Sequence, residues 1–132
     1  MPENLASAVT NGIRVDVRTT YVEDESSPNH SYFVYLYQIE ITNESEEEVQ
    51  LLRREWTIVD GMAQKRLVEG DGVVGKQPVI VPGQTHRYVS GSNLPTPVGM
   101  MKGKYLMVRL SDQQQFWIDI PSFTLYVPHL DN

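Results

Sequence analysis

A glycine-rich run, Gly70-Asp71-Gly72-Val73-Val74-Gly75-Lys76-Gln77-Pro78, holds the residue types in this 132-residue chain that offer the most chemistry. Its spacing is GxGxxG, which in dinucleotide-binding proteins places a pyrophosphate at the N-terminus of the helix that follows. Here Pro78 and Pro82 flank residues 79–81, which are Val, Ile and Val. Proline breaks a helix interior, and the β-branched Val and Ile prefer the extended conformation, so no helix is expected at this point. The sequence therefore argues against a Rossmann-type unit and predicts a glycine-rich connection inside a β protein.

Two interpretations of these glycines stay open. A glycine run lets backbone N–H groups turn inward as a nest that binds anions without a helix, and Lys76 and Gln77 would add a charge and a donor. Alternatively, Gly70, Gly72 and Gly75 only supply positive φ for a sharp crossing between sheets. The candidate site for a phosphate- or pyrophosphate-type anion or a nucleotide therefore consists of Gly70, Gly72, Gly75, Lys76 and Gln77.

The charge of the chain is divided unevenly along its length. Residues 51–110 contain nine Lys and Arg against four Asp and Glu, so this segment carries +5 in a protein of net charge −6. The glycine-rich run thus lies in a locally basic segment of an acidic protein. The overall acidity argues against general nucleic-acid binding, whose affinity comes mainly from neutralising phosphates.

Parts for catalysis or metal binding are missing from the sequence. There is no cysteine, and the three histidines, His30, His86 and His129, are far apart and not at ligand spacing. Ser90 follows His86 by four residues, too far along an extended chain for a direct hydrogen bond. The acidic run at residues 44–48 is typical of a solvated turn that guards sheet edges with charge. We therefore expect no catalytic residue, no metal site and no cofactor.

The surrounding pattern is that of short β-strands. Residues 1–12 lack sustained periodicity and are predicted as a flexible N-terminal arm, followed by a single domain over 13–132. From Ile13 onward apolar and polar residues alternate, and no window shows a helical stripe. Strands are predicted at residues 13–21, 32–42, 49–59, 63–69, 79–81, 85–90, 102–110, 115–120 and 123–127. Such strands with turn signals between them predict an all-β, immunoglobulin-like or fibronectin type III-like two-sheet antiparallel sandwich without a disulfide. A closed barrel is the alternative.

Particular residues allow finer predictions. The strand over 32–42 is expected to be central, with Val34 and Leu36 covered on its second face. Arg53-Arg54 interrupts the pattern of the next strand and indicates a bulge. Asp60-Gly61 predicts a type I′ hairpin turn, and Trp56 is expected in the core.

An ordered series of motifs resembles the ApaG family over about residues 13–128. The motifs are Gly70-x-Gly72-Val73-Val74-Gly75-x-Gln77-Pro78, Pro82-Gly83, Tyr88-x-Ser90-Gly91, Thr96-Pro97-x-Gly99, Gly103-x-Tyr105-x-Met107, Ile120-Pro121-x-Phe123-x-Leu125, Arg54-x-Trp56 and Tyr35. The resemblance implies a fibronectin type III-like sandwich and a link to cobalt and magnesium efflux. It supplies no catalytic residue. Similar domains fused to F-box and polymerase-delta-interacting proteins look like interaction modules.

These observations combine into one functional expectation. We expect a non-enzymatic binding module whose partner is an unidentified protein, with phosphate-type anion or nucleotide binding at Gly70 to Lys76 as the alternative. No signal peptide and no apolar run of transmembrane length is visible, so a cytoplasmic location without nucleic-acid or membrane binding is expected.

Overall fold

The computed structural model describes residues 4–128. The strands are β1 (Asn4–Thr10), β2 (Ile13–Tyr21), β3 (Phe33–Asn43), β4 (Val49–Asp60), β5 (Lys65–Asp71), β6 (Val79–Ile80), β7 (Thr85–Leu94), β8 (Val98–Arg109) and β9 (Gln114–Tyr126). Two three-residue 3-10 helices, Glu23–Glu25 and Pro28–His30, lie between β2 and β3. Within the described residues no helix has the length and apolar character needed to cross a membrane.

The strands form two antiparallel sheets. The first has the order β1-β2-β3-β7, and the second has the order β5-β4-β8-β9 with β6 paired to the start of β4. Their inward faces enclose one core, as alternation along β2 and β3 predicts. The predicted two-sheet sandwich is confirmed, the barrel alternative is wrong, and β3 is central as expected.

An aromatic cluster occupies the middle of this core. Trp56 is only 4% exposed, and its ring lies 5.5 Å from Tyr37, 6.5 Å from Tyr105 and 5.9 Å from Phe123, measured between ring centroids. The contacts with Tyr105 and Phe123 are edge-to-face, the arrangement that the ring quadrupoles favour. The predicted core position of Trp56 is confirmed.

A β-bulge at Leu52 decides which side chains of β4 reach the core. The pairing of β4 with β8 shifts register between Leu51 and Arg53. Leu51 is buried before the shift, and Trp56 and Ile58 are buried after it, because the extra residue reverses the alternation. The bulge predicted around Arg53-Arg54 is therefore confirmed, and it gives Arg54 the same inward parity as Trp56.

The prediction of a flexible arm over residues 1–12 was wrong for Asn4–Thr10. This stretch is β1 and pairs along its length with β2, and Thr10 Oγ1 accepts a hydrogen bond from the Asp119 backbone N–H at 3.1 Å. Its inward positions hold alanines, whereas Leu5 and Val9 point outward and are 56% and 53% exposed. The hydrophobic pattern is thus inverted, which hid the strand from a reading of periodicity.

Two finer predictions also need correction. Leu36 is 40% exposed, so the second face of β3 is open to solvent. The chain after Asp60 does not make a two-residue type I′ turn: the Asp60 N–H donates to the Gln64 carbonyl, and positive φ occurs at Ala63, not at Gly61. Gly61 instead lies against Thr96, whose hydroxyl accepts its N–H at 2.7 Å.

Replacing Trp56 by Ala is expected to lower the free energy of unfolding by about 3–5 kcal/mol, because the substitution leaves a cavity in the aromatic cluster. The matched control is Trp117→Ala on the outward face of β9, where the side chain is 38% exposed. That change should cost no more than about 1 kcal/mol. Denaturant unfolding of both variants measures the difference, and equal losses would contradict the assignment of Trp56 to the core.

Candidate functional site

The glycine loop, defined as residues 70–78, lies along one edge of β4. β5 pairs with residues 53–59 of β4 and β6 pairs with Val49 and Gln50, so the loop is an excursion between two strands on the same edge. The backbone N–H of Leu51 donates to the Pro78 carbonyl at 3.0 Å, so hydrogen bonding along this edge of β4 starts again at the end of the loop. The interpretation of the glycines as a crossing between sheets is therefore wrong, because both flanking strands belong to the second sheet.

The carbonyl of the bulged Leu52 anchors the loop. It accepts hydrogen bonds from the Gly72 N–H at 2.8 Å and from Gln77 Nε2 at 3.0 Å. The Gln77 carbonyl in turn accepts a bond from Gln50 Nε2 at 3.0 Å. Gln77, predicted as a donor to an anion, thus donates to the protein itself. Val73 reaches into the core and is 1% exposed.

The tip of the loop is a tight turn. Val73 and Lys76 exchange two backbone hydrogen bonds, of 2.8 and 3.0 Å, around Val74 and Gly75, whose φ angles are +47° and +75°. Positive φ at both central residues is the geometry of a type I′ turn. Of the five non-glycine residues with positive φ in residues 4–128, Val74 is the β-branched one. Its side chain is 60% exposed.

The three glycines of the motif have different structural roles. A Cβ on Gly72 would lie 2.1 Å from the Lys76 carbonyl oxygen, and a Cβ on Gly70 would lie 2.8 Å from Arg54 Nη1. Gly75 has open space around it, so only its φ of +75° favours glycine. The structure therefore explains these residues without a bound ligand.

The backbone donors of the loop are largely used. The N–H groups of Gly72, Val73 and Lys76 donate to protein carbonyls, and only Val74 and Gly75 keep an amide without an acceptor in the described part of the turn. A nest built from the turn at Val73–Lys76 alone would have two donors. Anion binding at Gly70, Gly72, Gly75, Lys76 and Gln77 stays a prediction.

Arg54 lies beneath the start of the loop, a position that the sequence analysis did not assign to the site. Its Nη1 donates to the carbonyls of Asp71 and Gly72, each at 3.0 Å. The guanidinium occupies the space that a side chain at Gly70 would fill. The sequence did indicate that Arg54 faces inward, because it is two residues before Trp56 on the same strand. An arginine is rarely expected at a core-facing position, so this indication was not used.

Two tyrosine hydroxyls meet beside Arg54. Tyr88 on β7 and Tyr105 on β8 share a hydrogen bond between their phenolic oxygens. Burial raises the pKa of both phenols, most of all for the fully buried Tyr105, and the positive charge of Arg54 partly opposes the rise. Both groups therefore remain neutral hydroxyls at physiological pH. Arg54 of the second sheet and Tyr88 of the first are electrostatic neighbours.

Lys76 of the glycine loop acts electrostatically on the same strand of the first sheet. Partial burial lowers the pKa of His86 on β7, and the nearby charge of Lys76 lowers it further. The His86 and Tyr88 rings lie 6.3 Å apart between centroids. We call Arg54, Lys76, His86 and Tyr88 the basic seam, because the charges of Arg54 and Lys76 act on the Tyr88 and His86 side chains of β7.

Acidic side chains are kept away from the basic seam. Glu69 and Asp71 point to the opposite face of β5, where each lies 3.7 Å from a nitrogen of Arg53. Arg54 and Lys76 have no carboxylate within ion-pair distance among residues 4–128. The seam therefore carries unneutralised positive charge in an acidic protein.

The other candidates from the sequence stay apart. His30 shares a 2.7 Å hydrogen bond with the Ser27 hydroxyl, and His129 falls outside the described residues. In the range 4–128 no three His, Asp or Glu side chains come close enough to hold a metal ion. In the acidic turn, Asn43 is fully buried and binds the backbone of Ser45, Glu47 and Ile80, which gives this segment a structural explanation.

A groove of about 460 Å³ lies elsewhere, on the outward face of β4, β8 and β9. Glu55, Lys102, Lys104 and Asp119 line it, and the Lys104 amine sits 4.6 Å from the centroid of the Trp117 ring. Because its charges are of both signs and partly paired, this groove does not select a ligand class.

Comparison with known proteins supports the resemblance found in the sequence. The family model described as "ApaG domain" matches residues 23–109. Among curated relatives, Protein ApaG of Methylobacterium sp. (strain 4-46) is 49% identical over 93% of this chain and 94% of its own. Protein ApaG of Vibrio cholerae is 45% identical over 91% and 94%. A crystal structure described as an ApaA protein from Bordetella pertussis superposes with a TM-score of 0.84 at 37% identity, covering 96% of both chains.

Gly72 and Gly75 are expected to differ in how strongly a substitution destabilises the fold. Gly72→Ala should lower the free energy of unfolding by more than about 2 kcal/mol, because it combines positive φ with a backbone collision. Gly75→Ala should cost only about 1 kcal/mol, the price of positive φ alone. Denaturant unfolding of both variants is the measurement. Equal and small losses would show that the loop does not need Gly72 for its shape.

Proposed function

We propose that this chain, which belongs to the ApaG family, is a non-enzymatic binding module that docks a partner protein on the tip of its glycine loop. The observation that carries the proposal is Val74. A β-branched residue in the left-handed region costs about 1–2 kcal/mol relative to a residue suited to that region. Gly, Asn or Asp would occupy this turn position at lower cost.

The environment of Val74 suits a contact with another protein. Its side chain is 60% exposed and lies next to Lys76, which has no acidic partner among the described residues. Val79 and Val81, which follow the loop, are 50% and 38% exposed. The complementary surface is an apolar pocket with an acidic rim, because an apolar anchor beside a cation favours that combination.

The rigidity of the loop adds to the argument. The paired hydrogen bonds of Val73 and Lys76, the bonds to the Leu52 carbonyl and the buried Val73 side chain hold the tip in one conformation. A preorganised loop loses little conformational entropy on binding, so more of the contact energy appears as affinity.

The non-enzymatic part of the proposal has its own support. His86 is a natural candidate for a general base, but its neighbours are the Lys76 amine and the Tyr88 ring. Neither of them is a carboxylate that would orient its ring and stabilise its charged form, as in hydrolase triads. Tyr88 and Tyr105 bond each other and have raised pKa values, so neither phenol is activated.

Val74→Gly separates partner binding from folding. The substitution removes the apolar side chain and also removes the cost of positive φ, so the free energy of unfolding should stay unchanged or rise by up to about 1 kcal/mol. Loss of an anchor residue should weaken partner binding by at least about 2 kcal/mol, roughly 30-fold. The measurement is quantitative cross-linking and capture from cell extract, beside thermal melting.

Leu67→Ala is the matched control, because Leu67 is 72% exposed on the outward face of β5. Proteins captured by the wild type and by Leu67→Ala but lost with Val74→Gly support the proposal. Undiminished capture by Val74→Gly would refute it, as would equal loss in both variants.

A further inference from the structure

We propose that the free edge of β7, meaning the side of this strand that faces away from β3, binds an extended acidic segment of another protein as an additional strand of the first sheet. The contact is independent of the one proposed for Val74, because it uses a different element and backbone groups in place of an apolar anchor. Strand addition takes its affinity from main-chain hydrogen bonds and its specificity from alternate side chains.

The first step is the direction in which the backbone of β3 forms hydrogen bonds. Val34 of β3 bonds on the side of β2: its carbonyl accepts the N–H of Val22, which directly follows β2, at 2.8 Å. Its own N–H donates to Ser26 Oγ at 2.9 Å. The backbone groups of Val34 therefore point away from β7, which pairs with the opposite side of β3.

The direction of bonding along β7 follows from this parity. Because the direction alternates from one residue to the next, Tyr35 bonds toward β7, and its partner Ser92 bonds back toward β3. Arg87, Val89 and Gly91 then direct their N–H and carbonyl groups to the free edge. Since β7 is the last strand of its sheet, these groups have no ladder partner among residues 4–128.

The second step is that this edge has little protection against pairing. Edge strands commonly carry lysine, proline or a bulge that blocks a further strand. β7 keeps a continuous register with β3, and it contains neither lysine nor proline. Its single arginine, Arg87, pairs with Glu40 of β3 and so points away from the free edge. The other outer strand of this sheet, β1, is instead bonded to β9 through Thr10 and Asp119.

The third step is the charge at one end of the edge. Arg66 reaches from β5 to β7, where its Nη2 donates to Ser92 Oγ at 3.0 Å and to the Asn93 carbonyl at 3.2 Å. Asn93 has the same parity as Gly91, so its carbonyl points to the free edge and the guanidinium lies beside it. Arg66 has no carboxylate within ion-pair distance in residues 4–128. A carboxylate opposite Ser92 on an added strand would pair with it.

This charge decides between a second copy of the chain and another protein. If two β7 edges paired, the inward-facing side chains of the second β7 between residues 86 and 92 would be a histidine, a tyrosine and two serines. None of them is an acid for Arg66. A segment in which acidic and β-branched residues alternate supplies that acid, and its β-branched residues lie beside Val89, which is 53% exposed on the outward face.

The test uses the peptide acetyl-Glu-Val-Glu-Val-Glu-Val-Glu-amide, titrated into the 15N-labelled full chain at fixed ionic strength. In an antiparallel arrangement its valines lie opposite Arg87, Val89 and Gly91, and its first glutamate lies opposite Ser92. The amides of those three β7 residues should shift first and saturate below about 1 mM peptide. Non-saturating shifts, or saturable shifts confined to other elements, would overturn the proposal.

Two modified peptides test the main-chain pairing without altering the protein. N-methylation of the three valines removes the N–H groups that would bond to β7, whereas N-methylation of the two internal glutamates removes N–H groups that face away. The first change should weaken binding at least about tenfold and the second less than about threefold. Equal effects of the two modifications would show that the peptide does not bind as a strand on β7.

Arg66→Ala tests the charge that selects the partner. It should weaken binding of the acidic peptide about threefold to fivefold, as expected for the loss of one exposed ion pair. The matched control is Lys102→Ala, which removes the same charge from the outward face of β8 and should weaken binding less than about twofold. Equal weakening by both variants would reduce the effect to net charge and contradict a site at this edge.

Val89→Pro blocks the edge itself. The Val89 N–H has no ladder partner, so proline removes no hydrogen bond of the sheet and the protein should stay folded, as a melting curve would show. Peptide binding should be lost, and its retention by the folded variant would refute the proposal. Self-association of the wild type that Val89→Pro abolishes would also refute it, because a second copy would then be the occupant.

Val74→Gly distinguishes this contact from the one proposed for the glycine loop. It should abolish partner capture and leave the peptide-induced shifts of Val89 and Gly91 in place, because Val74 lies outside β7. Loss of the saturable peptide shifts in Val74→Gly would count against the β7 edge as a separate site.

Discussion

The hydrogen bonds to the Leu52 carbonyl are the constraint on which the rest of the site depends. The extra residue at the bulge reverses the alternation of β4, so that Trp56 enters the core and Arg54 faces inward. The Leu52 carbonyl, on the β5 side of β4, then accepts from Gly72, which continues the β4–β5 register, and from Gln77. The loop therefore satisfies a backbone carbonyl at the point where β5 ends, which would otherwise lack a protein donor.

Strand parity also separates the charges at this edge of the sandwich. Arg53 points outward toward Glu69 and Asp71, whereas its neighbour Arg54 points inward and binds the loop backbone. Two adjacent arginines thus lie on different faces: Arg53 has carboxylates close to it, whereas Arg54 has only backbone carbonyls. Because successive side chains of a strand alternate between faces, this separation needs no special geometry beyond the register.

The same GxGxxG sequence has different structural roles in different folds. In a dinucleotide-binding fold the glycines bring backbone amides to a pyrophosphate at a helix N-terminus. Here Gly70 makes room for an arginine, Gly72 makes room for a carbonyl, and Gly75 completes a turn. The glycines therefore have structural roles, and the candidates for function are the strained Val74 at the tip and the side chains of the basic seam.

Local pattern was enough to determine the all-β architecture, the central β3, the bulge in β4 and the core position of Trp56, because alternation reports burial directly. The sequence also indicated the family, through an ordered series of motifs. The position of β1 was hidden, because its alanines face inward and Leu5 and Val9 face outward. The basic seam was decided by tertiary structure alone: Arg54 and Tyr88 are 34 positions apart and lie on different sheets, and the local pattern of neither strand predicts that the charge of one acts on the other.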